Sequence, residues 1–269
     1  MTWLDAFILG LVEGITEYLP VSSTGHLLLA ERALGIERST AADAYTICIQ
    51  AGAILAVLGL YRARVAQMAR GVLGQDAAGR KLALQLVVAF LPAATLGFLF
   101  NDMIDAYLFG LWPVVFAWAA GGIAILALRG RTGGRALEGL DLRIALLIGC
   151  AQCLALWPGT SRSLATILGA VLLGVSLPAA VEFSFLLGLL TLGAATTYSA
   201  LKHGEEMLAA FGPMPLVIGF VTSGVSAALA VKWLVGWLQS RGLEIFAVWR
   251  LALAAVVAGL LSAGILPSG

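Results

Sequence analysis

Charged residues are scarce in this sequence, and their scarcity excludes an ordinary soluble protein. Asp, Glu, Lys and Arg make up 12% of the 269 residues, against 61% hydrophobic residues. That balance, with a mean hydropathy of +0.98, predicts a helical protein that crosses the membrane several times. Sixteen basic and fifteen acidic residues leave a net charge of +1, which gives no sign of a nucleic-acid partner, and we expect none.

Two further absences narrow the possibilities. The three cysteines all lie in apolar segments, and Cys150 and Cys153 lack both a strand–helix context and the second pair that a zinc site needs. We therefore expect the cysteines to pack between helices. The first residues lack the basic segment of a signal peptide, and Asp5 and Glu13 interrupt the apolar run, so we expect this segment to remain on the mature protein.

Long apolar runs are what the sequence has in abundance. A helix needs about 20 apolar residues to cross a hydrocarbon core of about 30 Å. Six runs approach or exceed this length, at about 44–61, 82–100, 107–128, 179–200, 215–238 and 245–266. They predict six transmembrane helices in a single membrane domain over residues 1–269.

Two other apolar segments are interrupted by a proline followed by small and polar residues. The pieces lie on either side of each break, at 3–19 and 27–36 and at 142–157 and 163–175. The shorter pieces cover only about half of the hydrocarbon core. Each pair predicts a re-entrant helical hairpin, whose irregular backbone is tolerated at membrane depth only inside protein or beside a water-filled cavity.

The two interrupted segments match each other at a constant offset. Three pairs of identical residues coincide, namely Gly10 and Gly149, Ser22 and Ser161, and Gly35 and Gly174. Each half would hold one hairpin and three crossings, which inverts the second half (about 141–269) relative to the first (about 1–128). The predicted fold is an all-α integral membrane protein with six transmembrane helices and two re-entrant helical hairpins in an inverted-topology repeat, an architecture typical of transporters.

Basic residues are concentrated in two connections between the runs. Five lie in 62–81 and four in 129–143, whereas the connection 101–106 carries Asp102 and Asp105 and no basic residue. The positive-inside rule places both basic connections in the cytoplasm. The first hairpin then enters from the outer face and the second from the cytoplasmic face, and both termini lie outside.

Two acidic residues lie inside the first hairpin. Glu13 and Glu17 are four apart, so they share one face of a helix. Carboxylates this close in a membrane repel each other, and a hard cation such as Mg²⁺ or Ca²⁺, which prefers oxygen ligands, removes that cost. The alternative is a protonated, hydrogen-bonded pair inside a helix bundle.

A run of small polar residues follows the acidic pair. Ser22, Ser23, Thr24 and Gly25 lead into a helix that contains His26. The exposed N–H groups of a helix start favour a bound phosphate, although the hydroxyls could simply cap the helix. His26 is either a proton-transfer group for a neighbouring hydroxyl or a packed core imidazole.

The break in the second hairpin carries an arginine between two serines. Arg162 lies between Ser161 and Ser163, and a planar guanidinium matches a phosphate with two parallel hydrogen bonds. The alternative is a cytoplasmic anchor that reaches to the membrane surface. At the repeat offset Arg162 falls opposite Ser23, so we expect both hairpin tips to reach one central cavity. Together these groups predict phosphoryl transfer on a lipid-linked phosphate.

The sequence at these residues resembles the undecaprenyl-diphosphatase family, the integral membrane phosphatases of bacitracin resistance. The likeness rests on Glu-Gly-Ile-Thr-Glu-Tyr-Leu-Pro-Val-Ser-Ser-Thr-Gly-His at 13–26 and Leu-Trp-Pro-Gly-Thr-Ser-Arg-Ser at 156–163, with further likeness at 49–57 and 182–187. The resemblance implies hydrolysis of undecaprenyl diphosphate to undecaprenyl phosphate and inorganic phosphate, which recycles the lipid carrier of peptidoglycan and cell-wall synthesis. It also implies dependence on Mg²⁺ or Ca²⁺, and a multi-pass location in the bacterial cytoplasmic (inner) membrane with the active site facing the periplasm.

Carried over by position, the resemblance implies a role for each motif residue. Glu13 and Glu17 would form the acidic, metal-binding pair. Ser23 would be the nucleophile, His26 its acid/base partner and Arg162 the diphosphate clamp. Further substrate contacts would come from Ser22, Thr24, Gly25, Ser161 and Ser163. The resemblance leaves open both a seryl-phosphate intermediate and a metal-activated water.

The sequence departs from the family pattern at two places. Leu164 stands where the family usually has glycine, and Leu189 and Leu190 stand where proline is common. We expect Leu164 to change the shape of the cavity beside the arginine. Gln50, Glu182 and Arg250 are further polar residues in or beside the spans, with functional and packing roles both open.

Two other classes of function remain as alternatives. The inverted repeat suits a polyprenyl-phosphate carrier or flippase, which would work without Ser23. An ion-coupled transporter would use Glu13 and Glu17 as a cation site and would depend on an ion gradient. The expected partners are undecaprenyl diphosphate and membrane lipid, with a homodimer left open.

Overall fold

The chain is helical throughout, as its apolar runs predict. The computed structural model describes residues 1–131 and 133–266, without the side chains of residues 101, 102 and 105. In this part of the chain there are two short 3₁₀ helices, Leu137–Gly139 and Cys153–Leu156, and no β-strand. The α-helices are α1 (Trp3–Thr16), α2 (Ser23–Ala33), α3 (Thr40–Leu60), α4 (Arg62–Val72), α5 (Ala77–Leu108), α6 (Leu111–Ala127), α7 (Leu142–Gln152), α8 (Arg162–Leu172), α9 (Leu177–Phe211), α10 (Pro213–Trp237) and α11 (Glu244–Ser262).

Side-chain caps fix where several of these helices begin. At α1, Thr2 and Asp5 form a reciprocal capping box, in which each side chain accepts from the other residue's backbone N–H. Ser39, Asp76 and Asp141 each accept a hydrogen bond from the backbone N–H three residues later, at 3.2, 2.8 and 2.8 Å. These bonds satisfy amides that a helix start otherwise leaves without a partner.

Among the described residues, five helices are long and apolar enough to cross a membrane. They are α3, residues 77–100 of α5, α9, α10 and α11. The remaining predicted span, at about 107–128, corresponds to α6. Its 17 residues rise about 25 Å, slightly less than a typical hydrocarbon core. The chain is therefore a multi-pass helical membrane protein.

Two connections are more ordered than the sequence suggests. The basic segment 62–81 contains α4, which packs on α5 so closely that a Cβ at Gly71 or Gly79 would collide with the facing backbone. The prediction of a connection at 101–106 is wrong, because α5 continues as a helix through these residues to Leu108. The membrane orientation was predicted partly from Asp102 and Asp105, whose side chains lie outside the described part of the chain.

The helices of the two halves pack against each other in a crossed pattern. In the first half α1 packs on α10, and in the second half α7 packs on α5, while α3 packs on α9 and α6 on α11. The matched glycines explain the first two contacts. A Cβ on Gly10 would lie 2.5 Å from the carbonyl oxygen of Gly219, and a Cβ on Gly149 would collide with the carbonyl oxygen of Ala89.

Both interrupted segments turn back through a serine with an unusual backbone conformation. Ser22 has φ 75° and Ser161 has φ 77°, and these are the only non-glycine residues with positive φ in the described chain. Each serine immediately precedes the second helix of its segment and caps it. Ser22 Oγ accepts a hydrogen bond from the N–H of Gly25 at 3.5 Å, and Ser161 Oγ accepts one from the N–H of Leu164 at 3.2 Å. A left-handed serine is costly, so the surrounding contacts must hold both tips in place.

Candidate active site

We call the connection between α1 and α2 (17–22) the first tip and that between α7 and α8 (153–161) the second tip, each with the first turn of the helix that follows it. A cavity of about 560 Å³ lies where the two tips meet α5 and α9. Polar residues of both tips form one end of it. Along its sides α5 contributes apolar residues, whereas α9 contributes apolar residues together with Thr191, Tyr198 and Lys202. The polar end contains Glu17, Ser22, Ser23, Thr24, Gln152, Ser161 and Arg162. Phe90, Ala94 and Phe98 of α5 and Leu192, Ala194 and Ala195 of α9 belong to the walls. A cavity with this division suits a molecule that has a polar head and an apolar chain.

The polar end is organised around Glu17, which joins the two tips. One carboxylate oxygen accepts a hydrogen bond from Arg162 Nη2 at 3.1 Å, and the other accepts from the Ser23 hydroxyl at 2.5 Å. The side chains of Glu17 and Arg162 are only 5% and 9% exposed. Each charge therefore depends on the other for the solvation that water would otherwise supply.

Three neighbours hold the Arg162 guanidinium in one orientation. Its Nη1 donates to the carbonyl oxygen of Ser184 at 3.0 Å, and its Cζ lies 5.1 Å from the centre of the Tyr18 ring. The group rests on Gly188 of α9, where a Cβ would come within 2.7 Å of Nη1. A planar fork fixed on three sides is suited to recognise the tetrahedral oxygens of a phosphate.

Of the two predicted substrate contacts on the second tip, Ser163 bonds to the first tip. Ser163 is fully buried and donates to the carbonyl oxygen of Leu19 at 3.0 Å. Its hydroxyl also shares a hydrogen bond with that of Ser161 at 3.0 Å. Ser161 lines the cavity and Ser163 does not.

The first tip presents its polar residues unevenly to the cavity. Ser22 and Thr24 line it beside Ser23. The N–H of Gly25 donates to Ser22 Oγ, and the glycine lies against the Trp118 ring, which a Cβ would hit. Gly25 thus lets α2 approach α6 and contributes no cavity wall.

His26 faces away from the cavity, towards α6 and α11. Trp249 Nε1 donates to its Nε2 at 3.0 Å, so Nδ1 carries the proton and donates to the carbonyl oxygen of Ser22 at 2.7 Å. The imidazole is nearly coplanar with the Trp249 ring, 6.0 Å between ring centres, and meets Trp118 edge-on. Both nitrogens are therefore occupied, and the Ser23 hydroxyl is bonded to Glu17 instead. The acid/base role of His26 stays a prediction.

Glu13 is completely buried behind the cavity. Neither of its carboxylate oxygens has a hydrogen-bond partner in the described part of the chain. An ionised carboxylate without a partner is expensive to bury, and its oxygens are the donors that a hard cation prefers. The metal role of Glu13 and Glu17 stays a prediction, since Glu13 does not line the cavity. The described residues hold no cluster of three or more potential metal-binding side chains.

Three polar residues whose roles were left open lie in different places. Gln50 lines the cavity. Glu182 lies outside it and accepts a hydrogen bond from Arg64 Nε at 2.7 Å. Arg250 is fully buried and reaches the backbone of both tips.

Residues that the sequence did not single out also contribute to the site. Tyr18 supplies the ring under Arg162, and Gln152 accepts a hydrogen bond from Thr191 at 3.2 Å beside the cavity. The repeat offset pairs Gln152 with Glu13, although the sequence alone gave it no role. Leu164, expected to reshape the cavity, lies in the core at 2% exposure and does not line the cavity.

Comparison with known proteins gives a consistent result over nearly the whole chain. The family described as "Bacitracin resistance protein BacA" matches residues 6–256. An "Undecaprenyl-diphosphatase" of Sorangium cellulosum is 46% identical over 96% of this chain and 86% of its own length. "Undecaprenyl-diphosphatase 1" of Chromobacterium violaceum is 44% identical, covering 94% of each chain, and an "Undecaprenyl-diphosphatase" of Deinococcus radiodurans is 42% identical over 100% of this chain and 99% of its own. The resemblance seen in the motifs is thus confirmed, and the chain belongs to the bacitracin resistance protein BacA family of membrane proteins.

Proposed function

We propose that this chain hydrolyses undecaprenyl diphosphate to undecaprenyl phosphate and inorganic phosphate. The observation that carries the proposal is the buried cluster of Glu17, Ser23 and Arg162, at the polar end of a cavity that apolar residues of α5 and α9 also line. A diphosphate head fits the arginine and the start of α2, and a polyprenyl chain fits the walls between α5 and α9. The named activity of the relatives supports the same substrate.

The geometry suggests how the reaction proceeds. Arg162 binds the terminal phosphate and stabilises the charge that spreads over its oxygens in the transition state. The Ser23 hydroxyl already donates to Glu17, so Glu17 accepts the proton as Oγ attacks phosphorus and the bond to the polyprenyl phosphate breaks. Water then hydrolyses the seryl phosphate. If water attacks directly, Glu17 takes the water's proton and Ser23 positions the head group.

The acidic pair supports a divalent cation at the same site. Glu13 and Glu17 would hold Mg²⁺ or Ca²⁺, which would neutralise part of the diphosphate's negative charge. The carboxylate of Glu13, buried without a partner, is the observation that favours such an ion.

The placement in the membrane follows from charge and length. We place six crossings and two re-entrant hairpins in an inverted repeat, about 1–128 and about 141–269, within one membrane domain. The basic segments 62–81 and 129–143 lie in the cytoplasm of a bacterial inner membrane. The outer halves of α5 and α9 then flank the cavity, which opens towards the periplasm.

Phosphate release from C55 diphosphate by the purified protein in detergent tests the proposal. We expect Ser23→Ala and Arg162→Ala each to lower the rate by at least about 10³-fold, because each removes a group that acts on the reacting phosphate. Ser223→Ala is the matched control, since Ser223 is buried without a hydrogen-bond partner in the described residues. Undiminished release by Ser23→Ala and Arg162→Ala would refute the proposal, and lipid transfer without release would favour a carrier. The particle size in the same detergent tests for a homodimer.

A further inference from the structure

Arg250 of α11 is a buried cation with an unusual set of partners. Its side chain is 0% exposed, and no carboxylate of the described chain lies in ion-pair range of it. A buried charge is tolerated only where hydrogen bonds replace its hydration. The question is which groups supply them.

All of its hydrogen bonds go to backbone carbonyl oxygens. Nε and Nη2 donate to Trp118 and Ala117 of α6, at 3.3 and 2.8 Å. Nη1 donates to Pro20 in the first tip at 3.3 Å, and Nη2 also donates to Gly159 in the second tip at 2.9 Å. A single side chain thus uses four of its five N–H groups to join one helix and both tips.

The helix beneath Arg250 is shaped to receive it. A Cβ at Gly121 of α6 would collide with the guanidinium, so the absence of a side chain there creates the seat. The same helix is also bonded to each tip by a tryptophan. Trp118 Nε1 donates to the carbonyl oxygen of Val21 at 3.1 Å, and Trp157 Nε1 donates to that of Pro113 at 3.0 Å. The α6–α11 pair is therefore a frame to which both tips are attached.

The attachment points lie close to the reacting groups in the chain. Pro20 follows Glu17 by three residues, and Arg162 follows Gly159 by three residues. Displacement of either tip would change the alignment of the 3.1 Å contact between Glu17 and Arg162. Displacements of about 1 Å in a catalytic group lower rates by about 10²-fold.

We propose that Arg250 is a positioning residue that sets the spacing of the two hairpin tips and thereby the alignment of Glu17 with Arg162. It acts through backbone carbonyls and touches no reacting atom. The effect on catalysis rests on the proposed function, whereas the effect on tip geometry does not. A residue that served only to stabilise the fold would leave the turnover of each folded molecule unchanged.

The test compares Arg250→Lys and Arg250→Met with Arg241→Met, whose guanidinium contacts only the Trp237 ring among the described groups. The full chain is measured in detergent with C55 diphosphate, at temperatures where each variant is folded. Lysine keeps the charge but lacks the planar fork, so we expect kcat to fall about tenfold for lysine and about 100-fold for methionine. KM should stay within about threefold, and the control should match the wild type.

A second pair of variants leaves the arginine in place. Gly121→Ala should lower kcat about tenfold, because the added methyl displaces the guanidinium. Gly59→Ala in α3 is its control, since a Cβ there meets no atom of the described chain within 4 Å. If Arg250→Met does not fold, Arg250→Lys and Gly121→Ala decide the matter.

Hydrogen exchange provides a readout that needs no substrate. We expect backbone amides at 18–21 and 157–161 to exchange at least about tenfold faster in the Arg250 variants, and both tips to loosen together. Wild-type exchange at the tips, or a kcat loss equal to the loss of folded protein, would overturn the proposal. If the wild type releases no phosphate, the proposed function fails and the exchange of the two tips alone decides the positioning role.

Discussion

The buried ion pair of Glu17 and Arg162 makes a prediction about stability as well as activity. Glu17→Gln keeps the shape of the side chain but leaves the guanidinium, 9% exposed, without its counter-charge. Removing one partner of a buried pair costs about 3–5 kcal/mol. Because the pair lines a cavity that water can enter, we take the lower value, a loss of about 3 kcal/mol in the free energy of unfolding.

The double variant Glu17→Gln/Arg162→Met distinguishes the charge from the shape. With both charges removed, neither is left buried without a partner, so the loss should be smaller than the sum of the two single losses by about 2 kcal/mol. Activity should not return, because Arg162 and the proton acceptor for Ser23 are both gone. The second substitution therefore costs less stability in the Glu17→Gln background than it does alone, while phosphate release does not recover.

The measurement is reversible unfolding in mixed micelles, followed by tryptophan fluorescence. Arg64 and Glu138 provide a matched control pair on the surface, 3.0 Å apart, with side chains 32% and 64% exposed. Glu138→Gln should cost at most about 1 kcal/mol. Additive losses for Glu17 and Arg162, or a cost no larger than that of the control, would refute the buried-pair interpretation.

Two further predictions concern the metal and the cavity wall. Glu13→Gln should raise the Mg²⁺ or Ca²⁺ concentration for half-maximal phosphate release by at least about tenfold, measured by titration after chelation; an unchanged half-maximal concentration would contradict the assigned metal role. Ala194→Trp narrows the cavity, so it should raise KM for the C55 substrate by about tenfold and leave KM for a short-chain prenyl diphosphate unchanged. Ala200→Trp is the control, because Ala200 is exposed on the same helix and does not line the cavity, and it should change neither KM.

The positions of the two breaks could be read from the sequence because local chemistry fixes them. Proline followed by small polar residues interrupts the helix at both breaks, whereas Pro92, which lacks such a run, lies inside α5. The tip serines adopt the same backbone conformation at matched positions. The expectation that Ser23 and Arg162 approach one cavity used the same offset, and both residues line it. Composition and run length likewise sufficed for the multi-pass helical fold.

The remaining features depend on partners that no pattern marks. Arg250 bonds to carbonyl oxygens of four residues, and every residue has a carbonyl, so the sequence gives no signal for this choice. The hydrogen bond from Trp249 to His26 joins helices more than 200 residues apart. The helical course of α5 through 101–106 also escaped prediction, because polar residues at the end of an apolar run are as common in a helix end as in a turn.

In the proposed six-span arrangement, the shortness of α6 has a consequence for the surrounding lipid. At 17 residues it is too short to match an average hydrocarbon core, and a mismatched segment is accommodated by local thinning of the bilayer or by reorientation of its flanking residues. On the flank where α6 and α11 pack together, head groups and water should therefore come closer to the midplane. A charged lipid head would then have a shorter apolar distance to cross before it reaches the hairpin tips.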